Sequence, residues 1–159
     1  MNQFEFQNNN LILKVKRGPA ILRVFLLLLG AGLFIFPTIG MIGAMAIGKG
    51  FHIGFIITIF VSGFLGFHIL KFFLWNTFGQ EEIEINGDTL TYEANYKWFK
   101  DGKKEIKFDN LTFSINSIGY EDEKIGTLVI GEHEAKIESV VKIPLEQLED
   151  LLKILNKQV

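Results

Sequence analysis

The densest run of chemistry-bearing side chains in this 159-residue sequence is Lys97-Trp98-Phe99-Lys100-Asp101-Gly102-Lys103-Lys104, four lysines beside two aromatics at an Asp-Gly turn. Ammonium groups held around a tight hairpin can grip a lipid headgroup or a nucleotide phosphate, and Phe99, expected on the wet face, adds a ring for stacking. Lys97, Trp98, Phe99, Lys100, Lys103 and Lys104 are therefore the candidate ligand-binding residues. The plainer reading is that these lysines only solubilise an edge hairpin.

Elsewhere the chemistry thins out. No His, Ser and acid cluster at a known catalytic spacing, and no Gly-rich phosphate loop follows a strand. Four serines, three histidines and no cysteine leave little for a nucleophile and nothing for a disulfide or a thiolate metal site. His133, in Gly131-Glu132-His133-Glu134, reads as one histidine in a solvated acidic turn rather than a metal ligand. Asn110-Leu111-Thr112 matches a glycosylation acceptor by letter alone, because its expected side is cytoplasmic. The expectation is a protein that is not an enzyme and has no cofactor and no metal.

Charge divides the chain. The first 75 residues hold six lysines and arginines against Glu5 alone, whereas the remainder holds ten against seventeen acids. An acidic soluble half would repel phosphates over most of its surface, so general nucleic-acid binding is not expected.

The elements that must carry these residues begin with an apolar block. From Val24 to Leu70 the only potentially charged side chains are Lys49, His52 and His68. A stretch so long and so apolar reads as membrane rather than as a buried core helix. The first helix is expected at about 22–47 and the second at about 53–75, each long enough for the ~20 residues a crossing needs, with Gly48-Lys49-Gly50-Phe51-His52 as the turn. Lys14, Lys16, Arg17 and Arg23 precede the first helix and Lys71 ends the second, while the turn offers Lys49 alone. The positive-inside rule then puts both termini in the cytoplasm and the chain in the cytoplasmic (inner) membrane as a multi-pass protein. Ala44-Met45-Ala46 resembles a signal-peptide cleavage site, but the polar leader before it is long and patterned, unlike a short basic n-region.

Helices in lipid associate where small side chains let backbones approach. Gly40, Ala44 and Gly48 repeat every fourth residue on the first helix, and Thr58, Ser62 and Gly66 do so on the second. Counted outward from the turn, Ala44 lies level with Thr58 and Gly40 with Ser62, so these six are the candidate helix-packing residues. They serve packing within the hairpin or homo-oligomerisation. Pro37 should kink the first helix by removing a donor, either as a hinge or as a kink accommodated by neighbouring packing. His68, one turn before Lys71, reads as a packing or interface residue, with proton sensing as the sharper alternative.

On either side of this block the pattern has period two. Phe4–Gln7 and Leu11–Lys16 flank Asn8-Asn9-Asn10 as a hairpin, and further strands are expected at Glu82–Ile85, Thr89–Trp98, Lys104–Phe108, Leu111–Asn116, Thr127–Ile130 and about Ala135–Val141. Turn signals include Asn86-Gly87-Asp88, Asp101-Gly102 and Asp109-Asn110. In the longest strand Leu90, Tyr92, Ala94, Tyr96 and Trp98 share the buried face, which implies a closed or nearly closed small sheet. A helix opening at Pro144, with Leu145, Leu148, Leu151, Leu152 and Leu155 on one face, should cap it. Because an isolated hairpin is marginal in water, the N-terminal strands are expected to join the later sheet. The domains are then 1–19, 20–76 and 77–159, with a transmembrane hairpin inserted in one antiparallel β domain through the short links Arg17-Gly18-Pro19 and Asn76-Thr77-Phe78-Gly79.

The strand series from Glu82 and the Pro144–Leu155 helix resemble the bacterial pleckstrin-homology-like (PH-like) domains found behind two-helix membrane anchors. The layout is also similar to the two-transmembrane β-barrel effectors of bacterial antiphage defence. These resemblances imply anion binding at comparable loops and nucleotide-controlled membrane disruption, respectively. The resulting expectation is a membrane-anchored sensor or binding module whose partners are the lipid bilayer, a protein or an anionic small ligand, and a second copy of the chain. The alternative is a passive adaptor or a toxin-immunity protein at the inner membrane.

Overall fold

The computed structural model describes residues 2–108, 110–119, 123–132 and 135–157. The turn expected at Asp109-Asn110 and the loop expected around His133 fall in part outside that set. The chain divides into two compact units, one spanning 17–77 and the other built from the sequence on both sides of it.

The helical unit follows from its composition. Helices α1 (Ala20–Ala46) and α2 (Ile53–Phe78) are both long and apolar enough to cross a membrane. Pro19 stands at the N-cap of α1, before the helical dihedrals begin, and Gly48 and Gly50 turn the chain at its far end with φ of 79° and 73°. Pro37 stays inside a continuous helix, and the Thr38 hydroxyl donates to the Phe34 carbonyl at 2.8 Å. Thr58, Ser62 and Thr77 likewise return their hydroxyls to carbonyls of their own helix, at 2.7–2.8 Å. Polar groups on an apolar helix are thereby satisfied without water. Apart from Trp98, Val140 and Ile154, every exposed large apolar side chain among the described residues lies between Ile21 and Phe72.

In the other unit, β1 (Phe4–Gln7), β2 (Asn10–Lys14), β3 (Gln80–Asn86), β4 (Thr89–Asn95) and β5 (Lys100–Lys107) form one antiparallel sheet in that order. Strands from before and after the helices are neighbours: Leu11 pairs with Ile83 and Lys14 with Gln80, and the Val15 amide donates to the Gly79 carbonyl at 3.0 Å. A second antiparallel sheet holds β6 (Phe113–Ile118), β7 (Ile125–Glu132), β8 (Ala135–Glu138) and β9 (Ile143–Pro144), with β7 paired to all the others. The expected closed or nearly closed sheet is therefore two separate sheets. Among the described residues β1 and β5 are the edges of the first sheet, and β5 carries Lys100, Lys103, Lys104 and Lys107, a composition that resists further pairing.

Alternation puts Leu11, Leu13, Ile83 and Leu90 on the buried face of the first sheet, and Leu128, Ile137 and Ile143 join the core from the second. Helix α3 (Leu145–Leu155) buries Leu148, Leu151 and Leu155 against β6 and β7, each worth about 1.5–3 kcal/mol of transfer free energy. Pro144 ends β9 and serves as the N-cap of α3, one position earlier than the first helical residue expected of it.

Candidate functional site

Asn95 decides the local geometry of the lysine-rich segment. Its side-chain oxygen accepts the Lys97 amide at 2.7 Å, Lys97 adopts a left-handed φ of 76°, and the Tyr96 amide donates to the Phe99 carbonyl at 3.0 Å. The chain thus reverses over residues 96–99, and Asp101-Gly102, expected as the turn, lies inside β5. Gly102 is the residue there with a φ of 69°, beside a register shift between Tyr92 and Ala94. This reversal overturns two expectations. Trp98 leaves the buried face and is 77 % exposed, because β4 stops at Asn95 before the alternation reaches it. Phe99, expected to be wet, instead stacks on Tyr96 with ring centroids 4.8 Å apart and planes 11° from parallel.

The lysines do not form one pocket. Lys100 reaches Glu82 at 2.7 Å and Glu93 at 3.1 Å, two carboxylates that the β3–β4 register sets directly opposite each other. Partial burial opposes ionisation of Glu82, but the bonds from Lys100 and Asn95 outweigh it and hold the carboxyl below its ordinary value. Lys103 pairs with Glu105 at 2.7 Å, both well exposed, so the contact adds little stability. Lys104 lies opposite Tyr92 on the edge strand. Lys97 stands at the tip, its Nζ 4.4 Å from the centroid of the Phe78 ring. A crevice of about 10 Å³ lined by Leu90, Ile106, Phe108, Leu111 and Ile130 has room for a water-sized body and no more.

The close approach of the two helices is not at the expected stripes. A Cβ on Gly30 would sit 2.8 Å from the Leu70 side chain and 3.3 Å from the Gly66 carbonyl oxygen, and one on Gly66 would meet that of Gly30 at 2.9 Å and the Phe34 ring at 2.8 Å. Gly66 belongs to the expected set, but its partner is Gly30. Gly40 and Gly48 have open space within 4 Å of such an atom, and Thr58 is exposed. Ala44 and Ser62 are half-buried. Counting outward from the turn assumed that the helices touch there, whereas Gly40, Gly43 and Gly54 face open space. His68 lies on an exposed flank, its ring edge-on to Phe64 with centroids 4.6 Å apart.

Sequence reasoning passed over Glu81, which is fully buried. Its Oε1 accepts the Tyr92 hydroxyl and the Val140 amide, each at 2.7 Å, and its Oε2 accepts the Val141 amide at 3.3 Å. Burial pushes this carboxyl above its ordinary 4.5, against the pull of those three donors. The signal was present, since the alternation that buries Ile83 puts Glu81 on the same face. Gln3 makes a second tie: its side-chain amide donates to the Lys14 and Lys142 carbonyls, and its backbone amide donates to the Gln147 side chain. No protein family, curated protein or solved structure was found to match this chain.

Proposed function

We propose that the protein is a membrane-anchored, non-enzymatic binding module, in which α1 and α2 cross the cytoplasmic membrane as a hairpin and the β unit works on the cytoplasmic side. The observation that carries this reading is the distribution of exposed large apolar side chains, which among the described residues is confined to the helices and the turn between them, with three exceptions. Side chains such as Ile21, Phe36 and Phe60, each at least three-quarters exposed, are stable in hydrocarbon and costly in water. The sheet supports the coupling part of the proposal. Because β2 and β3 pair across the insertion, the β unit meets each helix through a link of a few residues, and rearrangement of that sheet has little slack before it reaches the hairpin.

Two antiparallel sheets followed by a C-terminal helix support the likeness to pleckstrin-homology-like domains. Within that likeness the ligand is anionic, and the cations available to it are Lys97 and Lys104 rather than the ion-paired Lys100 and Lys103.

The absence of cysteine makes the topology directly testable. Single cysteines at Gly50 and at Ser117, probed in intact cells with a membrane-impermeant maleimide, should give labelling at position 50 at once and at position 117 after permeabilisation. Labelling of both from outside, or release of the chain by alkaline carbonate, overturns the reading. Expression with a membrane-potential dye separates an effector, which depolarises the cell when its β unit is switched, from a passive adaptor, which does not.

A further inference from the structure

We infer that the β4–β5 turn is a second, peripheral membrane anchor, in which Trp98 and Lys97 seat in the anionic headgroup layer of the bilayer that the helices enter. This inference rests on the proposed membrane crossing. Its evidence is a juxtaposition within the β unit. The first sheet aligns Lys14, Gln80, Asn95 and Lys100 across four strands, so the chain leaves for α1, returns from α2 and turns at residues 96–99 all at one end of the sheet. The opposite end carries the Asn8-Asn9 and Asn86–Asp88 turns, with Lys107 and Phe108 beside the second of them, and has no tryptophan. Contact confirms the placement of the turn: the Lys97 ammonium lies 4.4 Å from the ring of Phe78, the last residue of α2.

A helix that crosses a bilayer has its terminal residue near the headgroups, so a side chain beside Phe78 is within reach of that layer. The residues present suit it. Tyr96 and Phe99 stack on each other and make the turn rigid, and the indole of Trp98 is left 77 % exposed. Indole is the side chain best matched to the membrane interface, with an apolar body and a donor at its edge. Lys97 and Lys16, both exposed and at this end of the sheet, supply positive charge for lipid phosphate, and a lysine stem can lie along apolar surface while its ammonium stays in water. Lys14 and Lys100 are paired with Glu5 and with Glu82 and Glu93, so Lys97 carries the attraction together with Lys16 and Arg17.

The sequence holds two tryptophans, and each can report alone. The full chain with Trp75→Phe is reconstituted in vesicles of equimolar phosphatidylglycerol and phosphatidylcholine carrying bromines at shallow or deep acyl positions. Trp98 emission should be blue-shifted, quenched more by shallow than by deep bromines and protected from iodide. In pure phosphatidylcholine the quenching should weaken; equal quenching in the two lipids overturns the role of the lysines. The companion chain with Trp98→Phe reports on the end of α2. If Trp75 is quenched by bromolipid while Trp98 stays water-like and open to iodide, the second anchor falls and the membrane hairpin stands. If neither tryptophan is quenched by bromolipid, the hairpin falls as well.

Discussion

The Tyr92 hydroxyl donates to Glu81 Oε1 at 2.7 Å on the buried face of the first sheet, and the same oxygen accepts the Val140 amide at 2.7 Å. One carboxylate thus joins β3, β4 and the segment between β8 and β9, with no cation beside it among the described residues. All three partners are donors, a set that suits an ionised carboxylate, while complete burial works against ionisation. The consequence is a joint whose strength depends on every partner being present.

Removing either partner should therefore destabilise the β unit unequally. Tyr92→Phe keeps the ring and deletes one buried hydrogen bond, leaving its acceptor short of a partner, a loss of about 1–3 kcal/mol. Glu81→Ala strands two amides and a hydroxyl in the core and should cost more, about 3 kcal/mol or above. The double variant should lose less than the two singles added together, since they break one network. Urea unfolding of the full chain in detergent micelles, followed by tyrosine near-ultraviolet circular dichroism, measures all three.

The same joint gives stability a pH dependence of definite sign. Burial raises the Glu81 carboxyl above 4.5 in the folded chain, so between that value and its higher folded value the native state holds a proton that the unfolded state has released. Stability from this group is greatest below about 4.5 and declines as pH rises through that window. Glu82 is shifted the other way, so the contribution of Glu81 is read as a difference. Relative to Glu81→Gln, the native chain should lose melting temperature as pH is raised from about 4.5 toward neutrality. A difference that stays flat, or grows in favour of the native chain, would contradict this assignment.

How much of this was legible beforehand depended on the range of the interaction. The two helices announce themselves by length and apolarity, and most strand positions follow from alternation. Period two carried past Asn95 puts Trp98 on the wrong side, because one side-chain bond to the Lys97 amide ends the strand there. The Gly30–Gly66 approach lies far from the turn, so a count outward from the turn pairs Gly66 with the wrong partner. Glu81 was assignable to the buried face by alternation, but its partner Val140 is 59 residues away, a pairing that local pattern does not contain.

Gly66, at that helix approach, should respond to substitution differently from Gly40, which lies away from it. In Gly66→Ala the added carbon meets the Gly30 carbonyl oxygen at 2.9 Å, a backbone atom that moves only with its helix, and overpacking of this kind costs about 1–3 kcal/mol. Gly40→Ala places its carbon in open space and should be neutral or gain up to about 1 kcal/mol of helix propensity. Energy transfer between dyes on cysteines placed near the start of α1 and the end of α2 should report a wider hairpin for Gly66→Ala and an unchanged one for Gly40→Ala.

Lys97 offers a separation of stability from membrane contact. Its φ of 76° lies where an L side chain is strained and glycine is not, so Lys97→Gly relieves the turn while deleting the ammonium over Phe78. The relief is worth about 1–2 kcal/mol, at least that of an exposed cation–π contact, and unfolding in micelles should occur at or slightly above the native midpoint. In anionic vesicles the same variant should weaken the quenching of Trp98 by shallow bromines, since the cation next to the indole is gone. A lysine that served only the turn would give the opposite pattern, with the midpoint lowered and the quenching unchanged. The strained residue would then be explained by local packing, and the attraction to headgroups would have to come from Lys16 and Arg17.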